Sequence, residues 1–272
     1  MNTSKGRLRK LVRKHSIAIL AVAEPFHKEK HMYSFAKKIK MSGCVSNEKE
    51  GGKIWIFWRD DFQMEWIGAS SQAIHGIVTK GGHSVVLTFV YAKCSALERR
   101  SLWVELEGLR VVGLPWLVLG DFNIIRNDAK RRRGRPRPLV AMEEFNTCID
   151  TCRLVEVPCK GRKLSWCNGH EGLGRSWARL DRVLANIDAM RLFPDIQMIY
   201  LQKTTSDHCP MLVQFYKTME NYGPSHFRFQ RMWTEHEFFI PCVEKAWNSN
   251  GIGEGLTGLY KLAAKLKTTK LL

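Results

Sequence analysis

Apolar residues along this chain recur with two different spacings. A spacing of three or four positions predicts helices over residues 8–12, 96–110 and 139–152. Short apolar runs that end at glycine, proline or polar residues predict strands over residues 17–23, 53–58, 73–80, 83–92, 116–120, 163–167, 177–184, 196–201 and 211–215. Because helices and strands are interspersed along the chain, the pattern predicts an α/β fold.

The pattern also predicts where the domain ends. With 272 residues, 44% of them apolar, the chain is long enough for one large α/β domain with a substantial core. Its character changes after Tyr216, and Gly223-Pro224 is typical of a boundary. We therefore expect a domain over residues 1–217 and an extension over residues 218–272, which is aromatic at first and then forms a basic amphipathic helix.

The charge balance points to a polyanionic partner. The chain carries 43 Lys and Arg against 26 Asp and Glu, for a formal charge of +17. Nucleic acid is the first candidate for such a partner. A merely soluble basic protein, or one attracted to an anionic membrane surface, are the alternatives.

Cysteine usage and hydropathy limit the compartments. The eight cysteines form no CxxC pair or compact framework, so we expect reduced thiols and an intracellular protein of the nucleus or cytoplasm. No run approaches the roughly 18 apolar residues of a membrane span. The basic start followed by Ala21-Val22-Ala23 imitates a secretion signal. Cleavage there would remove the strand before Glu24, so we favour a strand, with a transit peptide as the alternative.

Two strand ends carry candidate chemistry. The run from Trp116 ends in Gly120-Asp121-Phe122-Asn123, and Asp121 and Asn123 project to the same side of an extended chain. They offer one charged and one neutral oxygen to a hard cation or a phosphate, although an ordinary turn uses the same residue types. Ser206-Asp207-His208 stands at another strand boundary and favours the chemical interpretation.

These motifs resemble a known family. GDFN, then Arg179-Leu180-Asp181-Arg182, then Ser206-Asp207-His208, in that order, are similar to the endonuclease/exonuclease/phosphatase family of DNase I-like phosphoesterases. Ala23-Glu24-Pro25, Val90-Tyr91-Ala92 and Leu164-Ser165-Trp166 extend the similarity. The nearest resemblance is to the endonuclease domain of LINE-type retrotransposon proteins, especially plant ones. Residues 227–247 are similar to the segment leading from that domain toward a reverse transcriptase, a module expected to be absent from this chain.

The resemblance implies a fold. Family members are four-layered α/β sandwiches, with two packed mixed β-sheets flanked by helices. They begin with a strand that carries an asparagine, whereas this sequence opens almost at the first helix. We therefore expect the chain to lack the first family strand, which would weaken its activity.

The resemblance also implies a site. Glu24 and Asp207 would hold Mg²⁺ or Mn²⁺, whose preferred ligands are oxygens. Asp121 and Asn123 would align water and phosphate, and Tyr91 would donate to the phosphate. His208, oriented by Asp181, would be the base or a charged phosphate contact. The basic run would follow the DNA backbone from a solvated loop; its residues are Lys130, Arg131, Arg132, Arg133, Arg135 and Arg137.

Three functions follow from these observations. The leading hypothesis is a divalent-metal-dependent enzyme that nicks DNA. A family phosphatase or RNA exonuclease is the second, and a non-catalytic basic protein that binds nucleic acid is the third. Preference for small phosphates would favour the second, while salt-dependent binding without cleavage would favour the third.

Overall fold

The computed structural model describes residues 2–25, 27–109, 113–134, 138–216 and 237–248. The chain divides into two compact units, residues 1–217 and 218–272. In the second unit the described residues form one helix, α6 (Phe239–Asn248). The basic helix expected near the C-terminus and residues 227–236 of the aromatic segment lie outside the described residues. The function of this extension stays a prediction.

The first unit alternates helices and strands as expected. Its helices are α1 (Asn2–Lys14), α2 (Met32–Ile39), α3 (Ala96–Leu109), α4 (Leu139–Thr151) and α5 (Ile187–Leu192). Its longer strands are β1 (Ile19–Ala23), β2 (Gly43–Ser46), β3 (Ile54–Trp58), β4 (Gln63–Ala69), β5 (Ala73–Lys80), β6 (His83–Tyr91), β7 (Trp116–Asp121), β13 (Asp181–Ala185), β14 (Gln197–Tyr200) and β15 (Met211–Gln214). Two-residue strands complete it: β8 (Arg131–Arg132), β9 (Val155–Glu156), β10 (Cys159–Lys160), β11 (Trp166–Cys167) and β12 (Trp177–Ala178).

The strands form one large sheet and three small ones. The large sheet has the order β4-β5-β6-β7-β13-β9, and the small sheets have the orders β1-β3-β2, β10-β14-β15 and β11-β12-β8. In the large sheet β6 and β7 run parallel, and the other neighbours are antiparallel. Within the described residues β1 and β15 are edge strands.

Three apolar clusters define four layers. One cluster joins α3 and α4 to one face of the large sheet through residues such as Leu102, Phe145 and Val118. A second packs the other face of that sheet against β3 and β14, for example Ile56 and Met198. A third joins α1 and α2 to the outer face of β3. Strand β3 therefore buries both of its faces, as its uniformly apolar sequence predicts. The expected sandwich of two packed sheets between helices is confirmed.

Several local predictions were wrong. Residues 177–184 do not form one strand but two, β12 and β13. The Ser165 hydroxyl interrupts the run, because it accepts hydrogen bonds from the backbone N–H groups of Leu180, between the strands, and of Asp181, the first residue of β13. Residues 163–167 keep only two paired residues, those of β11. Helices α2 and α5 and strands β2 and β4 were missed. Helix α2 nevertheless has apolar residues at helical spacing.

The basic run is more ordered than a solvated loop. Arg131 and Arg132 form β8, which pairs with β12. The Arg131 guanidinium donates to Asp128 and to the Gly134 carbonyl, both at 2.6 Å, because these acceptors lie within its own loop. The Arg131 guanidinium is therefore held within the loop, while Arg132 and Arg133 are exposed. Arg135 and Arg137 lie outside the described residues.

Two buried arginines lie beneath the end of β13. Arg182 is fully buried and Arg179 is 7% exposed. Both donate to the same oxygen of Glu156, each at 2.7 Å. Burial lowers the pKa of Arg182, and the Glu156 charge opposes that effect. A single carboxylate thus compensates two desolvated cations.

We expect Glu156→Gln to destabilise the protein by about 3–5 kcal/mol, because it leaves buried guanidinium groups without a counter-charge. Urea unfolding measures this change. Glu144→Gln is the control: its partner Arg100 is 57% exposed, so its loss should stay below about 1 kcal/mol. Equal effects of the two substitutions would contradict the role assigned to Glu156.

Candidate active site

Strand pairing brings three predicted residues to one edge of the large sheet. Tyr91, the last residue of β6, is the register partner of Asp121, the last residue of β7. Asp181, the first residue of antiparallel β13, pairs with Asp121 from the other side. Three chain segments that are distant in sequence therefore converge at one point.

Gly120 is required for this convergence. Its φ is 145°, and a Cβ atom there would lie 1.9 Å from the Val90 carbonyl oxygen. Only glycine permits so close an approach of β7 to β6. The glycine of GDFN is therefore explained by backbone packing.

The turn after β7 is fixed by its own side chains. Asn123 has a left-handed backbone, with φ of 51°. Its backbone N–H donates to Asp121 Oδ1 at 2.9 Å, and its side-chain amide donates to the Ala92 carbonyl at 2.7 Å. Asp121 is 6% exposed. A buried carboxylate is thus held in place by a strained turn, as is common at functional sites.

His208 lies between two carboxylates. Its Nδ1 is 2.8 Å from Asp181 Oδ2, and its Nε2 is 3.7 Å from Asp121 Oδ2. Burial lowers the pKa of His208, but the hydrogen bond and charge of Asp181, with Asp121 and Asp207, outweigh it and raise the pKa to about 9. Burial, followed by the like charge of Asp181, raises the pKa of Asp121. The arrangement therefore favours a positively charged imidazole at neutral pH.

The segment that carries His208 is tied to β11. The Cys167 N–H donates to the Asp207 carbonyl at 3.0 Å, and the Cys209 N–H donates to the Ser165 carbonyl at 2.7 Å. The indole N–H of Trp166 donates to Asp207 Oδ2 at 2.9 Å. The Asp207 side chain therefore has a fixed partner although it is exposed.

Glu24 and Tyr91 form a second pair. The Tyr91 hydroxyl donates to Glu24 Oε1 at 2.5 Å. Glu24 has a left-handed backbone, with φ of 49°, and its N–H donates to the Lys53 carbonyl. Burial raises the pKa of Tyr91 well above its usual range, helped by Glu24 and Asp121. Tyr91 is therefore a hydrogen-bond donor at any ordinary pH.

The side chains are of the type that binds a hard cation. Among the described residues, ligand atoms of Asp121, Asp181 and His208 lie within 4.8 Å of one another. Glu24 and Asp207, the predicted metal ligands, are not members of this group. Asp207 does add its negative charge to the surroundings of Asp121. The carboxylates of Asp121 and Asp181 are oxygen ligands of the kind that a divalent cation prefers, whereas a protonated His208 has no nitrogen free to bind a metal.

Sequence reasoning missed two residues that support this site. The Tyr200 hydroxyl donates to the backbone carbonyl of Asp181, and Trp166 fixes Asp207. In the sequence, Trp166 ends a motif that assigns it no role, and Tyr200 is an ordinary strand aromatic. The neighbours of Asp181, Arg179 and Arg182, pair with Glu156, which leaves Asp181 to pair with His208.

Comparisons with known proteins agree on one fold. The sequence model of the endonuclease/exonuclease/phosphatase family matches residues 1–208. The 3'-5' exonuclease NExo from Neisseria meningitidis superposes with a TM-score of 0.58 at 17% identity, covering 79% of this chain and 95% of its own. For the endonuclease domain of TRAS1, a telomere-specific non-LTR retrotransposon, the TM-score is 0.56 at 12% identity, with coverage of 77% and 90%.

A third structure shares the fold. D. rerio TDP2, complexed with a single-strand DNA product, has a TM-score of 0.53 at 15% identity, with coverage of 76% of this chain and 89% of its own. No curated protein sequence matches the chain significantly. At these identities the structural likeness establishes the fold alone.

No described helix is long and apolar enough to cross a membrane.

The contact between Asp181 and His208 predicts a titration. In buffer with EDTA, the His208 ring should titrate above its ordinary pKa of 6.5, toward about 9. Asp181→Asn should lower that pKa by about one pH unit or more, because burial then meets less opposing negative charge. Nitrogen-15 NMR of the imidazole measures both values.

The raised pKa of His208 also predicts how the stability of the folded protein depends on pH. Because the pKa is higher in the folded state, protonated His208 stabilises the protein below about pH 6.5, and this contribution is lost as the pH rises toward 9.

For the NMR titration of His208, Asp188→Asn is the control. It removes an exposed partner of Arg191 and should leave the pKa of His208 unchanged. A wild-type pKa at or below 6.5 would show that the two carboxylates do not act on the ring as described.

Proposed function

The chain belongs to the endonuclease/exonuclease/phosphatase family, and we propose that within it this protein is a divalent-metal-dependent phosphodiesterase that nicks DNA. The observation that carries the proposal is the position of the His208 ring between the carboxylates of Asp181 and Asp121. Beside it lies the Tyr91–Glu24 pair. Together they supply the donors and acceptors that hydrolysis of a phosphodiester requires.

The phosphodiester itself sets these requirements. Its negative charge repels a nucleophile and its alkoxide leaves poorly, so a site must neutralise the phosphate and align a water molecule. We assign neutralisation to the Nε2–H of His208, which Asp181 orients through Nδ1. We assign the attacking water to Asp121, whose raised pKa suits it to accept a proton.

Tyr91 and Asn123 complete the proposed contacts with the substrate. The Tyr91 hydroxyl, which donates to Glu24 when substrate is absent, would turn to a phosphate oxygen. Asn123 holds the turn that presents Asp121 and is proposed to help align the phosphate.

The proposed reaction also requires a divalent metal ion. We propose that Glu24 and Asp207 hold Mg²⁺ or Mn²⁺. Both residues are exposed, Glu24 accepts the hydrogen bond of Tyr91 and Asp207 precedes His208 in the chain. Their carboxylates match the preference of these ions for oxygen. When bound, the cation would neutralise phosphate charge and stabilise the departing oxygen. Tyr91 and Trp166 orient the two carboxylates through their hydrogen bonds.

DNA is the proposed substrate because of the positive charge of the chain and its structural similarity to nucleases. The formal charge of +17 favours a long polyanion over a small phosphate ester. Two of the structures that share this fold are the endonuclease domain of a retrotransposon and TDP2 in complex with a DNA product. We infer the same class of substrate for this chain.

The test is nicking of supercoiled plasmid by the purified protein with Mg²⁺. We expect cleavage that EDTA abolishes. His208→Ala and Asp121→Ala should each slow it by roughly 10²–10⁴-fold, the usual contribution of a positioned acid or base. Circular dichroism verifies that the variants are folded.

His83→Ala is the matched control, because His83 is exposed at the turn between β5 and β6. It should nick at the wild-type rate. Cleavage that survives in the folded His208→Ala variant would contradict the assignment. Salt-dependent DNA binding without any metal-dependent cleavage would replace the enzyme with a non-catalytic binding protein.

A further inference from the structure

Positive charge is concentrated on the first two helices of the first unit. Residues 1–46 contain eleven Lys and Arg against two Glu, so this part of the chain supplies more than half of the formal charge of +17. Neither α1 nor α2 contains an acidic residue. The exposed cations of α1, and those of α2 with the residue that follows it, form what we call the α1–α2 basic surface: Arg7, Arg9, Lys10, Arg13, Lys14, Lys37, Lys38 and Lys40.

These cations have no acidic partners. Within the described residues, no carboxylate forms an ion pair with any member of the α1–α2 basic surface. Exposed cations elsewhere do have such partners: Arg59 and Lys80 contact Asp61 at 2.7 and 2.6 Å, and Arg191 lies 3.6 Å from Asp188. The charge of the surface is therefore not compensated by the part of the protein that the structure describes.

Helix stability explains only part of this arrangement. Cations in the last turn of a helix are stabilised by the helix dipole, which applies to Arg13 and Lys14 of α1. Arg9 and Lys10 lie in the middle of α1, where the dipole gives no such gain. Each of them also lies four positions before another cation, and like charges at this spacing destabilise a helix. The arrangement is unfavourable for α1 by itself, and a bound polyanion would compensate for it.

The apolar side of α1 is already packed inside the fold. Val12 is 7% exposed and lies with Leu8 in the cluster that joins α1 and α2 to β3. Because these residues are engaged in the core, α1 cannot turn them to a membrane, as basic amphipathic helices that bind lipid do. A nucleic acid, which needs only the charged side of the helix, is therefore the more suitable polyanion.

The α1–α2 basic surface is separate from the catalytic group. Helices α1 and α2 cover the outer face of β3, whereas Asp121 and Asp181 lie at the end of the large sheet, which packs against the inner face of β3. The exposed Lys28 and Lys30 lie between Glu24, which follows β1, and the start of α2. Positive charge thus continues along the chain from the proposed metal ligand Glu24 to the helices.

Resting on the substrate named in the proposed function, we infer that the α1–α2 basic surface binds the phosphate backbone of duplex DNA outside the cleaved site. Arg9, Lys10 and Arg13 form the centre of this surface. Each phosphate that they neutralise releases counterions and adds salt-dependent affinity. Contacts with phosphates carry no sequence information, so the surface holds DNA of any sequence on the protein.

The phosphate contacts are tested by binding to a fluorescent duplex in EDTA, where no metal-dependent cleavage occurs. Arg9→Gln/Lys10→Gln/Arg13→Gln should reduce the slope of log Kd against log salt by about 2.7, since each lost phosphate contact removes about 0.9. Glutamine has nearly the helix propensity of Lys and Arg, so α1 should remain folded. On α2, Lys37→Gln/Lys38→Gln should reduce the slope by about 1.8. Both reductions should be the same for two duplexes of unrelated sequence.

Arg59→Gln/Lys80→Gln/Arg191→Gln is the matched control for the triple variant of α1. It removes the same charge from accessible side chains that have acidic partners. It should leave the slope nearly unchanged. Equal slopes for the two triple variants would overturn the inference, because the effect would then come from net charge alone.

An anionic membrane is the other partner that the variants test. Wild-type protein and the triple variant of α1 are compared for binding to vesicles of phosphatidylcholine and phosphatidylserine. Loss of vesicle binding in the variant, with an unchanged slope for DNA, would make the membrane the partner and would overturn the inference.

The binding surface and the proposed enzyme fail separately. Binding is measured without metal, so its result holds whether or not the protein cleaves. Reduced slopes as expected, without nicking of plasmid by the wild-type protein, would uphold the surface and overturn the enzyme. Nicking with unchanged slopes would do the reverse.

Discussion

The close approach of two parallel strands is the constraint on which the site depends. Gly120 lets β7 lie against the Val90 carbonyl of β6, and this contact fixes the register of Tyr91 with Asp121. The antiparallel pairing of β13 then brings Asp181 to the same point. Cβ atoms of directly opposed residues in a sheet lie roughly 4.5–5.5 Å apart, so backbone pairing alone brings Tyr91, Asp121 and Asp181 together. His208 approaches them from the segment between β14 and β15.

This arrangement buries charged side chains, which is unfavourable, and two separate groups of oppositely charged residues compensate for it. In the candidate site, the His208 ring lies between the carboxylates of Asp121 and Asp181, whose charges raise its pKa. Beneath it, Glu156 neutralises Arg179 and Arg182 in the interior. A buried charge without a partner in either group would be strongly unfavourable. The acidic site is therefore supported by a separate, internally paired cluster, which holds β13 in place.

Much of this could be predicted from the sequence. The α/β class, the family and the layered sandwich are confirmed, because the apolar periods and the order of GDFN, RLDR and SDH carry that information locally. The convergence of Tyr91, Asp121, Asp181 and His208 was implied by resemblance and is present in the structure. Their catalytic roles, and the metal-binding roles of Glu24 and Asp207, stay predictions.

The errors came from contacts between residues distant in sequence. The division of residues 177–184 depends on the hydroxyl of Ser165, and the order of the basic loop depends in part on the Gly172 carbonyl, which Arg133 reaches only after folding. The role of Trp166 depends likewise on Asp207, 41 positions away. No local pattern encodes such pairs.

A double-mutant cycle on Asp181 and His208 tests whether Asp181 acts through the imidazole ring. Single-turnover nicking is measured for Asp181→Asn, His208→Ala and the double variant. If Asp181 acts through His208, the double variant should be no slower than His208→Ala, because residues that act as a unit are not additive. Losses that multiply would show that the two residues act independently, and would contradict the account of the site.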